Sequence, residues 1–177
     1  MWVTGGAYQA WTDFLDRWAA GEPVDPAHLP PLVPEGFDGD TWARLGTRIS
    51  EALDRRLVTW SETLARELGG ARDEFAAGHA LNQARKGLAP IRALAATPAM
   101  PSELRRQLAP LIDGQVGQVQ EQLEESINRM RRAGRPSTTV EARLRTIRDN
   151  PLTVAATPGP AWDASPVDRP RRRVHFE

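Results

Sequence analysis

Cysteine is missing from all 177 residues, which excludes disulfides, thiol nucleophiles and every cysteine-ligated zinc or iron–sulfur centre. Lysine is almost missing too: Lys86 is the only one, and arginine supplies the rest of the positive charge. There is one tyrosine, and few β-branched residues occur in runs, so strand signals are scarce. Abundant Ala, Leu, Glu and Arg point instead to an all-α fold. No apolar run approaches the roughly 18 residues of a membrane span. The N-terminus lacks the basic-then-apolar layout of a secretory signal, so no membrane association and a cytoplasmic setting are expected. No G-x-S-x-G, P-loop or G-x-G-x-x-G spacing occurs.

What the chain does have is one long ridge. Between Asp40 and Leu68, Trp42, Leu45, Ile49, Leu53, Leu57, Trp60, Leu64 and Leu68 recur at steps of three or four, which stacks them on one face of a helix. Polar residues fill the other faces. The ridge carries two tryptophans, each able to bury roughly 150 to 250 Å², so an element of comparable length must cover it.

Other segments supply that cover. Ala7 to Ala20 reads as a short helix with Trp11, Phe14, Leu15 and Trp18 on one stripe and Gly21 placed to stop it. Glu22 to Gly39 holds Pro23, Pro26, Pro30, Pro31 and Pro34, and is expected to run extended as a strap whose Leu29, Leu32, Val33 and Phe37 lie along the helices. Gly69-Gly70 reads as a chain reversal. Ala71 to Ala96 follows as a second long helix, with Gly87 and Pro90 predicting a kink or break near residue 88. After Thr97 to Pro101, a third long helix runs from Ser102, a plausible cap, to Ala133-Gly134, weakened in its middle by Pro110, Gly114 and Gly117. A last short helix begins within Pro136 to Thr139, where Thr138 and Glu141 fit a capping box, carries Val140, Leu144 and Ile147 on one side, and is ended by Asn150-Pro151. The remaining segment lacks periodicity and reads as a flexible tail.

These elements predict an all-α, elongated up-down-up helical bundle of three long helices with short N- and C-terminal helices. The divisions are 1–39 (first helix and strap), 40–150 (bundle) and 151–177 (disordered basic Pro/Arg tail). Charge is unevenly spread: residues 1–40 hold seven acids and one base, whereas 126–177 hold five acids and eleven bases, giving −6 and +6. The two ends are expected either to attract one another or to offer a basic surface to a partner.

Few residues carry a chemical signal. His28, His79 and His175 have no second ligand one turn away, so no metal or cofactor is expected. Gly69 to Phe75 differs from the GGDEF signature of diguanylate cyclases by two intervening residues, and reads as a helix cap with early acids. The acids of Asp73-Glu74 and Glu124-Glu125 are adjacent, which points them about 100° apart on a helix. Pro31 to Pro34 has the Pro-x-x-Pro spacing that polyproline-recognition domains dock, without a flanking cation to set its direction. Arg131 to Pro136 partly resembles an AT-hook, with Ala133 where that motif has arginine. Arg131, Arg132 and Arg135 together with Arg143, Arg145 and Arg148 would form a phosphate-binding surface, which makes nucleic acid a possible but not favoured partner. Arg173, Val174 and Phe176 resemble the RVxF docking pattern of regulators that bind protein phosphatase 1, which implies strand addition to a sheet edge with Val and Phe filling two pockets.

The expectation is therefore a non-enzymatic helical scaffold or adaptor that binds protein partners, with self-association as a further option and a basic tail for recruitment. A nucleic-acid-associated regulator acting through residues 129–148, or an accessory subunit docking a partner enzyme through Arg173, Val174 and Phe176, are the alternatives.

Overall fold

In the computed structural model, residues 4–134 and 137–153 are described. Five α-helices and no strand occur among them, so the all-α class is established: α1 (Thr4–Ala19), α2 (Gly39–Gly70), α3 (Glu74–Ala96), α4 (Ser102–Arg132) and α5 (Ser137–Asp149). Consecutive long helices are neighbours, α2 on α3 and α3 on α4, while α1 packs on α2 and α5 lies across α3 and α4. That order is compatible with an up-down-up bundle.

Local chemistry sets the helix ends. Asp38 accepts a 2.8 Å bond from the Thr41 backbone N–H and another from the Thr41 hydroxyl. Phe37, one residue before this cap, meets Trp42 with ring centroids 5.6 Å apart, closing a hydrophobic staple that fixes the entry of α2. Asp73 caps α3 in the same way through the Ala76 N–H at 2.7 Å. At the end of α1, Gly21 N–H donates to Trp18 and Glu22 N–H to Arg17, the paired bonds of a Schellman motif, with Gly21 at φ +90° where a Cβ would be strained.

Several boundaries differ from the sequence expectation. Gly69 and Gly70 are the last helical residues of α2, and the reversal is made by Ala71, Arg72 and Asp73, because the Asp73 cap sets where the next helix can begin. Pro90 and Pro110 sit inside α3 and α4, which continue unbroken through them. Both prolines are exposed, so the carbonyl each leaves without its usual partner can face water. Ser102 is not a cap: Pro101 holds that position with no side-chain bond, and Ser102 is the first helical residue.

The core is one cluster centred on the expected ridge. Leu45, Ile49, Leu53, Leu57, Trp60 and Leu64 of α2 are buried against Leu81, Ala84, Leu88 and Ile91 of α3, with Trp11, Leu15 and Trp18 of α1 closing one side. Trp60 donates its indole N–H to the Ala84 carbonyl at 2.8 Å, so a polar atom accompanies the apolar burial without going unpaired. Arg56 lies over the Trp18 ring, 5.4 Å from its centroid. Leu152, expected in the tail, is fully buried, and its N–H donates to Gln120 Oε1. The core thus extends past residue 150, since α5 needs Leu152 to seal its end. Residues from 154 onward lie outside the described part.

The strap is keyed into the bundle. Trp11 Nε1 donates to the buried Pro30 carbonyl at 2.8 Å, and Leu32 N–H donates to Ala99 O at 2.7 Å. Leu32 is buried. The strap therefore ties α1 to the turn between α3 and α4.

Candidate partner-binding trough

That turn shapes an open trough on the surface. Thr97 ends α3 by donating its N–H to Leu94 O, and Met100 N–H then donates to Thr97 O, so five residues reverse the chain before α4 begins. Thr97 and Met100 are buried, and the Leu32–Ala99 bond anchors the turn from the strap side. The helices on either side are thereby held at a fixed spacing.

Between them lies a trough of about 540 Å³. Ala95 and Ala96 of α3 face Ala109 and Ile112 of α4, giving an apolar lining of small side chains. Arg92, Arg105, Arg106 and Asp113 supply its charge, with Ser102 at the mouth. The volume falls in the range of roughly 300 to 1,000 Å³ typical of ligand sites.

The arginines are not equally engaged. Arg92 pairs with Asp113 at 3.3 Å, and Arg106 pairs with Glu103 at 2.9 Å. Arg105 is left over: its Nε is buried and has no hydrogen-bond partner among the described residues. A guanidinium carries five donors and remains charged at any ordinary pH, so Arg105, without an ion-pair partner among the described residues, leaves a positive charge at the trough that an incoming acceptor can meet. The arrangement can therefore hold an anionic group against an apolar surface.

The basic segment singled out from sequence is used differently. Arg131 pairs with Glu141 at 3.0 Å, Arg132 lies 3.9 Å from Glu125, and Arg148 lies 3.7 Å from Glu124. Arg143 donates to the Ala71 carbonyl at 2.8 Å, joining α5 to the turn after α2. Arg129 and Arg145 are exposed. The excess charge at this end is thus met largely by acids of α4 and α5. The acidic first helix makes its own pair, Asp16 with Arg48 at 3.2 Å. Arg135, Arg173, Val174 and Phe176 lie outside the described residues, and so does the remainder of the AT-hook-like segment at residue 136.

The other sequence signals also find places. Asp73 is the cap of α3, which accounts for the acids after Gly69-Gly70. Glu124 and Glu125 reach different arginines, as their angular separation on one helix requires. Within Pro31 to Pro34, Leu32 is engaged with Ala99 and Pro34 enters a short 3₁₀ turn, so the segment is not a free polyproline ligand. His28 and His79 are exposed on separate elements. Among the described residues no group of three or more His, Asp or Glu could hold a metal ion, and no helix is long and apolar enough to cross a membrane.

Arg92, Arg105 and Arg106 were not distinguished by the sequence pattern. The signal that could have found them is the turn between them: a tight reversal at 97–101 sets Arg92 opposite Arg105 although thirteen positions separate them (105 − 92). No protein-family model matches the chain, and no curated protein or solved structure matches it.

Proposed function

We propose that this protein is a non-enzymatic helical scaffold or adaptor whose partner binds in the trough between α3 and α4. One observation carries the reading: Arg105 lines a preformed apolar trough and, unlike Arg92 and Arg106 beside it, has no ion-pair partner among the described residues. The surrounding framework supports it. The strap fixes the turn at one end of the trough, while the Trp60–Ala84 bond fixes α3 on α2. A site built on such elements needs little ordering when a partner arrives, and more of the contact energy then appears as affinity.

Partner capture from the native cell tests this reading with three proteins: the intact chain, the Ala109→Trp variant, and a chain ending at Thr153. Position 109 is exposed on α4, so a large side chain there fills the trough without entering the core. Partners lost with Ala109→Trp and kept by the shortened chain support the trough. Partners kept by Ala109→Trp and lost by the shortened chain would assign recruitment to the tail instead.

A further inference from the structure

Resting on the trough as the partner site, we infer that its occupant is an acidic amphipathic helix of a partner protein. Three properties lead to this chemistry. The first is charge: three guanidinium groups line the trough against one carboxylate, Asp113. Arg92 and Arg106 are paired with Asp113 and Glu103 while Arg105 has no ion-pair partner among the described residues, so a carboxylate is the best match for the occupant, because charge-assisted bonds to arginine are the strong ones. The second is the lining. Ala95, Ala96 and Ala109 line the trough and are small enough to let another helix approach closely. The third is extent. From Ser102 to Asp113 the trough follows α4 for about 16 Å at 1.5 Å per residue, the length of three helical turns.

An incoming helix would set leucine-like residues at i, i+3 or i+4, and i+7 on the alanines, with Glu or Asp beside that stripe reaching Arg105 and exchanging with Asp113 and Glu103 for Arg92 and Arg106. The ion pairs already present hold the outer two arginines in place. Only Arg105 lacks a partner to exchange.

Fluorescence anisotropy with the full-length protein and designed labelled peptides tests the inference. One peptide of about four helical turns carries a leucine stripe flanked by Glu; a second has Gln for every Glu; a third keeps Glu and has Ser for every Leu. The expected result is binding of the first, with a loss of about tenfold or more for the Gln peptide, for the Ser peptide, and for the first peptide against Arg105→Gln or Ala109→Trp. The peptide comparison leaves the protein untouched, so it remains decisive if Arg105→Gln disturbs folding. Equal binding of the Glu and Gln peptides would overturn the acidic occupant and leave an apolar trough. Displacement of the Glu peptide by octanoate would overturn the helical occupant in favour of a small organic anion, and displacement by duplex DNA would overturn it in favour of nucleic acid. Failure of all three peptides overturns the inference as well; the trough reading itself then stands or falls on whether native partners are lost with Ala109→Trp.

Discussion

Trp60 and Gly87 are a matched pair across the α2–α3 interface: a Cβ at position 87 would stand 3.3 Å from Trp60 Cδ1, and the same indole is pinned by its bond to Ala84 O. The glycine is what lets the ring approach the α3 backbone this closely. It weakens a helix interior, and the tryptophan it admits offsets that cost.

The pair gives a differential prediction. Gly114 of α4 has open space where a Cβ would go, so Gly114→Ala should stabilise the protein by about 1 kcal/mol through helix propensity. Gly87→Ala should yield none of that gain, because the anchored ring cannot move aside. Parallel urea unfolding of the two variants checks this, and an equal gain at both positions would show the ring to be free to shift.

Trp11 latches the strap through Pro30. Trp11→Phe keeps most of the apolar contact but leaves the buried Pro30 carbonyl without its donor, a loss of about 1 to 3 kcal/mol. Hydrogen exchange should then rise at the Leu32 N–H, which is bonded to Ala99, before it rises in α2 and α3. Uniform acceleration along the whole chain would mean that the strap does not open separately.

The φ of +90° at Gly21 predicts a backbone effect. Gly21→Ala should destabilise by about 1 to 2 kcal/mol, since a Cβ is strained in that region and would meet Arg56 Nη1 at 3.0 Å. Gly134 also has positive φ, +73°, but nothing stands within 4 Å of its Cβ position. Gly134→Asn should therefore cost less than Gly21→Asn in thermal melts.

The cap of α2 predicts an acid limb of stability. The Thr41 backbone N–H, with the Thr41 hydroxyl behind it, holds the Asp38 carboxyl below its ordinary value of 3.8. A carboxylate whose pKa is lowered on folding contributes stability above its unfolded pKa and loses it as the pH falls through the folded value. Asp38→Ala should lower Tm at pH 7, and the difference from the parent should shrink below pH 3.8. Asp38→Asn should cap nearly as well at pH 7 without that pH dependence. A Tm difference for Asp38→Ala that is constant from pH 7 to strong acid would contradict the cap.

How much of this could be read from the chain depends on the range of the cause. Helix identity came from spacing, and the α2 ridge from Leu45 to Leu64 is buried as its three- and four-residue steps require. Caps are local too, so the Asp73 reading and the Gly21 stop both hold. Neither proline breaks its helix: at exposed positions 90 and 110 the carbonyl each ring leaves without its usual partner can face water, so the helices continue. The arginines of 129–148 cluster in sequence and so read as one basic surface, yet Glu141 and Glu124 meet Arg131 and Arg148 across the α4–α5 contact, which no local pattern reveals, and Glu125 meets Arg132 within α4. The trough is harder still to see. It exists only because the strap, the turn and two helices set distant residues at fixed distances, and no single segment encodes it.

Photo-crosslinking from position 109 tests the central claim most directly. A benzophenone amino acid placed there in the native cell should give one discrete adduct with a partner protein, and the same group at Arg145, exposed on α5, should not. An adduct from position 145 with none from 109 would contradict the account, because the partner would then sit away from the trough.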